Sequence, residues 1–146
     1  MDAARDEIVD LLLRYARAVD TKDWALLASC FVDDVEADYG VIGSWRDAGS
    51  LVAFMEEAHA GMGPTQHRLT NFAVEVDGDR ATSSTYVHSV TVLASGPDDW
   101  IDTIGAYDDE FVGGPGGWRI SRRCFTVTRM LVSPSLGPAP WRVQGT

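Results

Sequence analysis

Four polar side chains fall where the surrounding pattern calls for apolar ones, and their types suit proton transfer. Tyr15 lies on the stripe Ile8, Leu12, Tyr15, Val19 of an N-terminal helix, so its hydroxyl needs a partner or a cavity. Asp20 follows directly. Its carboxylate either meets the negative end of the helix dipole, which raises its pKa, or N-caps the next helix with Asp23 in the capping-box position. Tyr39 ends a short strand that carries Val35 and Ala37 on the same face, pointing inward or standing at a rim. His67 opens the first strand of a later meander, after Pro64-Thr65-Gln66. Imidazole has an unperturbed pKa in the physiological range, so His67 facing a cavity is a candidate base; a structurally satisfied histidine is the plainer reading. His88 sits in mid-strand with Tyr86, Val90 and Val92 and reads as semi-buried. His59 ends a helix and reads as a partner for its dipole.

Other chemistries lack their signatures. The three histidines show no metal-ligand spacing and no HExxH, so no metal site is expected. There is no GxGxxG after a strand, no P-loop and no GxSxG, which argues against nucleotide cofactors and serine-type hydrolysis. Cys30 and Cys124 form no disulfide framework and read as buried thiols of a reducing compartment.

The elements that must position these residues fall into two halves. The helical stripe of residues 8–19 is followed by Asp20-Thr21-Lys22-Asp23 and a second, shorter helix with Trp24, Leu26, Leu27, Cys30 and Phe31. Residues 35–39 read as a strand. A third helix carries Leu51, Phe54, Met55 and Ala58, starts from Asp47 or Ser50, and stops at Gly61-Met62-Gly63-Pro64. Strands follow over residues 65–76, 80–95, 100–112 and 118–132, separated by Asp77-Gly78-Asp79, Gly96-Pro97-Asp98-Asp99 and a Gly113–Gly117 turn. Residues 1–132 read as one domain, and 133–146 as an irregular Pro-rich tail. Helices first and a long meander afterwards predict an α+β fold: a cone-shaped barrel of a curved, mostly antiparallel sheet wrapped around three N-terminal helices. The inside of such a cone is a potential pocket, with Trp24, Phe54, Phe72, Tyr86 and Trp118 as expected apolar walls and His88 beside them.

Composition bounds the rest. A chain of 146 residues is one domain's worth. Its net charge of −10 disfavours a nucleic-acid partner, and no apolar run is long enough for a membrane helix. The N-terminus is too acidic for a signal peptide, so a cytoplasmic location is expected. Acids cluster in residues 98–110 and arginines (Arg119, Arg122, Arg123, Arg129) in 119–129. Across the glycine turn they read as solvated cross-strand pairs rather than an anion patch.

Tyr15-(x4)-Asp20, Val19-Asp20-Thr21-Lys22-Asp23-Trp24, Ala37-Asp38-Tyr39, Thr65-Gln66-His67 and Gly117-Trp118-Arg119-Ile120 together resemble the nuclear transport factor 2-like superfamily. Within it, they are similar to the SnoaL-like group that includes scytalone dehydratase and bile acid 7α-dehydratase. The resemblance implies a cofactor-independent dehydratase or isomerase acting on a hydrophobic polycyclic or polyketide-like carbonyl compound. Asp20 and His67 would form the acid–base pair, and Tyr15 and Tyr39 would donate to the substrate oxygen. Those dehydratases carry one further polar group in the meander; His88 is its nearest counterpart here and Asp102 the next. A homodimer paired through the open sheet face is also implied. Two alternatives share the fold: a non-catalytic small-ligand or dimerising module, revealed by a filled pocket or by Asp20 capping the second helix, and the small subunit of a ring-hydroxylating oxygenase.

Overall fold

Residues 2–136 are described in the computed structural model. Helix α1 (Ala3–Thr21) forms over the predicted stripe and buries Ile8, Leu11, Leu12, Tyr15 and Val19. Lys22 ends it in the left-handed region, at φ 56°, with its amide bonded to the last carbonyls. Asp23, not Asp20, then caps helix α2 (Trp24–Ser29), accepting from the Leu26 amide at 3.0 Å. This helix is shorter than the sequence suggests. Phe31 already begins strand β1 (Phe31–Asp38), which passes through a 3-10 turn (Gly40–Ile42) into the two-residue strand β2 (Ser44–Trp45). Helix α3 (Ala48–His59) is capped by Asp47, whose carboxylate accepts from the Ser50 amide at 2.7 Å.

Strands β3 (Met62–Asp77), β4 (Arg80–Leu93), β5 (Gly96–Val112) and β6 (Arg119–Val132) form the meander. Met62-Gly63-Pro64 ends the helix as expected but already belongs to β3. Likewise Gly96-Pro97 starts β5 rather than turning the chain. The sheet order is β2-β1-β6-β5-β4-β3, antiparallel except where β1 runs parallel to β6. It is strongly curved but not closed, with β2 and β3 as edges. Three helices and a mixed curved sheet bear out the α+β cone.

Register breaks bend the sheet. One lies between Thr70 and Ala73, beside Asn71 at φ 57°, and another between Ile104 and Gly105. A Cβ on Gly105 would stand 2.3 Å from the Thr126 carbonyl oxygen, so only glycine permits that close approach. Alternation along β4 buries Ala81, Ser83, Thr85 and Val87 on the concave face, beneath the helices. Pro134–Leu136 form a 3-10 turn tied back to β5 through Ser133, whose amide donates to the Trp100 carbonyl at 2.9 Å. The remainder of the expected tail, 137–146, lies outside the described residues. No helix among the described residues is long and apolar enough to cross a membrane.

Candidate active site

The last turn of α1 and the start of β3 meet through one carboxylate. Asp20 Oδ1 accepts from the Thr65 hydroxyl at 2.9 Å and from His67 Nδ1 at 2.7 Å, while Oδ2 accepts the His67 amide at 2.9 Å. Burial alone would raise the pKa of Asp20. The bonds from the His67 ring and amide and from Thr65 outweigh it and hold the carboxyl below its ordinary 3.8. Neither alternative read for Asp20 holds: three donors lower its pKa where the dipole would raise it, and Asp23 caps the second helix. Since the carboxylate can only accept, His67 Nδ1 carries a proton, and in the neutral ring the lone pair is on Nε2. The two side chains are 13% and 24% exposed, sheltered but reachable.

His67 lines a cavity of about 480 Å³ with Tyr15, Tyr39, Phe54, His59 and Tyr107. That volume lies within the roughly 300–1,000 Å³ of small-molecule sites. Larger depressions of about 530 and 650 Å³ lie along β3–β6, but they are more open and their linings include Glu75 and Glu110. The cavity beside His67 is less open and has the predominantly apolar lining that binds organic molecules.

Opposing hydroxyls mark another wall. Tyr15 and Tyr39 stand 3.0 Å apart, oxygen to oxygen, both buried. Behind them is Arg123, fully buried, its guanidinium carbon 4.1 Å from the Tyr15 ring centroid and 3.9 Å from that of Tyr107. Asp109 grips it with two bonds, Nε to Oδ1 at 2.7 Å and Nη2 to Oδ2 at 2.8 Å, and among the described residues Nη1 has no hydrogen-bond partner. Burial opposes the charge on Arg123, but Asp109 holds its pKa well above the ordinary value. Burial also pushes Tyr15, Tyr39 and Tyr107 above the usual phenol range, so all three stay protonated donors. The solvated-pair expectation holds for Arg122, exposed and 3.9 Å from Glu110, and fails for its neighbour Arg123, which alternation turns inward.

Of the expected site residues, Asp20, His67, Tyr15, Tyr39 and Phe54 are thus brought together. The others are not. Tyr86 is 58% exposed and His88 bonds Asp102, because even-numbered residues of β4 point to the outer face. Phe72 falls at the β3 bulge, and Trp118 packs over Gly113 at the β5–β6 turn. Trp24 stands against His59, at 5.6 Å between ring centroids, and does not line the cavity.

The sequence reading missed His59, which is buried in the cavity wall rather than serving as a surface partner for the dipole. The steps Leu51, Met55, His59 already placed it on the buried stripe of α3. It also missed Tyr107 and Arg123. Among the described residues no group of three or more His, Cys, Asp or Glu could hold a metal ion.

Comparison with known proteins matches residues 3–124 to the SnoaL-like domain. An uncharacterised protein of Mycobacterium tuberculosis is 32% identical over 123 residues, covering 84% of each chain. A proposed aromatic ring hydroxylase from Novosphingobium aromaticivorans is 29% identical, with a TM-score of 0.81 over 90% of this chain and 94% of that one. A hexachlorocyclohexane dehydrochlorinase from Novosphingobium barchaimii shares the fold at 24% identity and a TM-score of 0.77, over 94% and 95% of the two chains.

Proposed function

The chain belongs to the SnoaL-like domain family, and from that premise we propose that it is a cofactor-independent lyase or isomerase acting on a hydrophobic, polycyclic or polyketide-like carbonyl compound. The observation that carries this reading is the Asp20–His67 pair, with an imidazole nitrogen that is free among the described residues at the wall of a largely apolar cavity. His67 Nε2 takes a proton from the carbon beside the carbonyl, and Asp20 stabilises the imidazolium. Charge then develops on the carbonyl oxygen. The Tyr15–Tyr39 pair bridges internally through one proton and has a second to donate to that oxygen, with Arg123 as buried positive charge behind it. Collapse of the enolate expels hydroxide, which leaves as water with the proton of His67; in an isomerisation the same proton returns to another carbon. Elimination of this kind is supported by the dehydrochlorinase among the structural neighbours.

Exchange of the α-protons of 2-tetralone into D2O, followed by NMR, tests the base directly. The protein should accelerate exchange, and His67→Ala should lower the acceleration by at least about two orders of magnitude while leaving the fold intact. Exchange no faster than in buffer, or equal in the variant, refutes the reading.

The non-catalytic alternative is disfavoured on the two features that distinguish it: side chains do not fill the cavity, and Asp20 faces His67 while Asp23 caps α2. The ring-hydroxylase neighbour favours a second reading, a small subunit of a ring-hydroxylating oxygenase; co-purification with a larger iron-bearing chain would establish it. A cytoplasmic homodimer completes the proposal, paired through the outer sheet face where Tyr86 and Leu131 are exposed. Sedimentation showing only 15.9 kDa species would remove the dimer.

A further inference from the structure

The cavity holds a second histidine that the proposed reaction does not use. His59 ends α3, is only 8% exposed and lines the cavity. Its Nδ1 lies 2.7 Å from the Met55 carbonyl oxygen. A carbonyl only accepts, so Nδ1 carries the proton and Nε2 presents a lone pair. Among the described residues that nitrogen has no hydrogen-bond partner. Burial, foremost, holds the ring's pKa below 6.5; His67 and Lys22 act in the same direction, and the Met55 contact and Asp20 oppose them. The two cavity histidines therefore differ in kind. His67 is backed by a carboxylate that balances an added proton, whereas His59 is backed by a neutral carbonyl and stays uncharged.

We propose that His59 Nε2 is a fixed acceptor for a hydroxyl of the substrate, so that the cavity selects apolar ring compounds bearing a hydroxyl donor. The proposal deepens the reading of this cavity as the substrate site and rests on it. A sheltered acceptor loses its water when an apolar ligand enters. A ligand without a donor leaves it unpaired, and one with a donor does not.

Phenol and toluene, close in size, separate these cases. Titrated into the full chain and followed by amide NMR shifts, phenol should bind about tenfold tighter than toluene. His59→Phe should abolish that preference with the Kd for toluene unchanged, which also reports an intact cavity. His59→Gln, which keeps an acceptor, should restore part of it. In the unmodified protein the imidazole nitrogen spectrum should show His59 as the neutral Nδ1–H form, its Nε2 resonance moving with phenol and not with toluene. The assignment is overturned if phenol shows no preference in the parent protein or if the preference survives His59→Phe. Failure of the proton-transfer reading looks different: ketone exchange is then indifferent to His67→Ala while the phenol preference persists.

Discussion

On the inner face of the sheet, His67 Nδ1 stands 2.7 Å from Asp20; on the outer face, His88 Nε2 stands 3.1 Å from Asp102. The two pairs have the same partners and nearly the same contact, yet different surroundings. Asp20 comes from a helix, binds the strand backbone as well as the ring, and leaves one imidazole nitrogen free toward a cavity. Asp102 is shared with Arg129 at 3.1 Å, and the other nitrogen of His88 faces Arg68 at 3.4 Å. Both nitrogens of His88 are therefore engaged, and solvent screens the group, whose imidazole is 37% exposed. A histidine–carboxylate contact becomes a base only where a nitrogen is left over and water is kept away.

The arginines repeat the contrast and give its largest test. Replacing one partner of a fully buried pair strands the other charge, so Arg123→Met should cost about 3–5 kcal/mol in urea unfolding. Arg122→Met, on the exposed side, should cost no more than about 1 kcal/mol. Equal losses would erase the distinction between the faces. Next in size is catalysis: the hundredfold drop in ketone exchange expected for His67→Ala should have no counterpart in His88→Ala, which should retain exchange within about twofold. A comparable loss in both variants would move the site to the wrong face.

The pH dependence sharpens the inner face further. The folded pKa of His59 is depressed below 6.5, so as pH falls the unfolded chain binds that proton first, and stability declines from about pH 6.5 downward. Asp20 is depressed below 3.8 and acts in a lower window: its contribution is present above that value and fades as acid reaches its folded pKa. Unfolding curves of His59→Phe should therefore flatten the upper part of the acid limb and leave the lower part unchanged. The smallest effect is expected outside, where Asp102→Asn should change stability by less than about 1 kcal/mol, and by less still at high salt.

Much of this contrast was legible in the residues. The four-and-three spacing through Tyr15 puts that hydroxyl on a buried stripe, and Val35, Ala37 and Tyr39 share a face, so residue spacing alone allows both tyrosines to point inward. Position along β4 was harder to read. The segment around Tyr86 and His88 alternates without an apolar–polar contrast, because Thr85 and Ser83 occupy the inner face and Val90 and Val92 the outer one, so parity could not be assigned. Arg123 was hidden for a related reason. Counting charges across a hairpin pairs Arg122 and Arg123 with acids alike, while burial separates neighbours one residue apart. His59 was misplaced because a helix end accounts for a histidine by its dipole alone; the helix α2 side chain that covers it, Trp24, is distant in sequence.

Asp20 joins the first helix to the first long strand through three bonds, only one of which reaches the imidazole ring. The same carboxylate is thus both seam and auxiliary, and the two duties can come apart. A relative without the proposed chemistry would still need the acid to keep helix and strand together, and would be free to discard the histidine. In a relative of this chain, then, the aspartate testifies to shared architecture, and only the imidazole beside it testifies to shared reactivity.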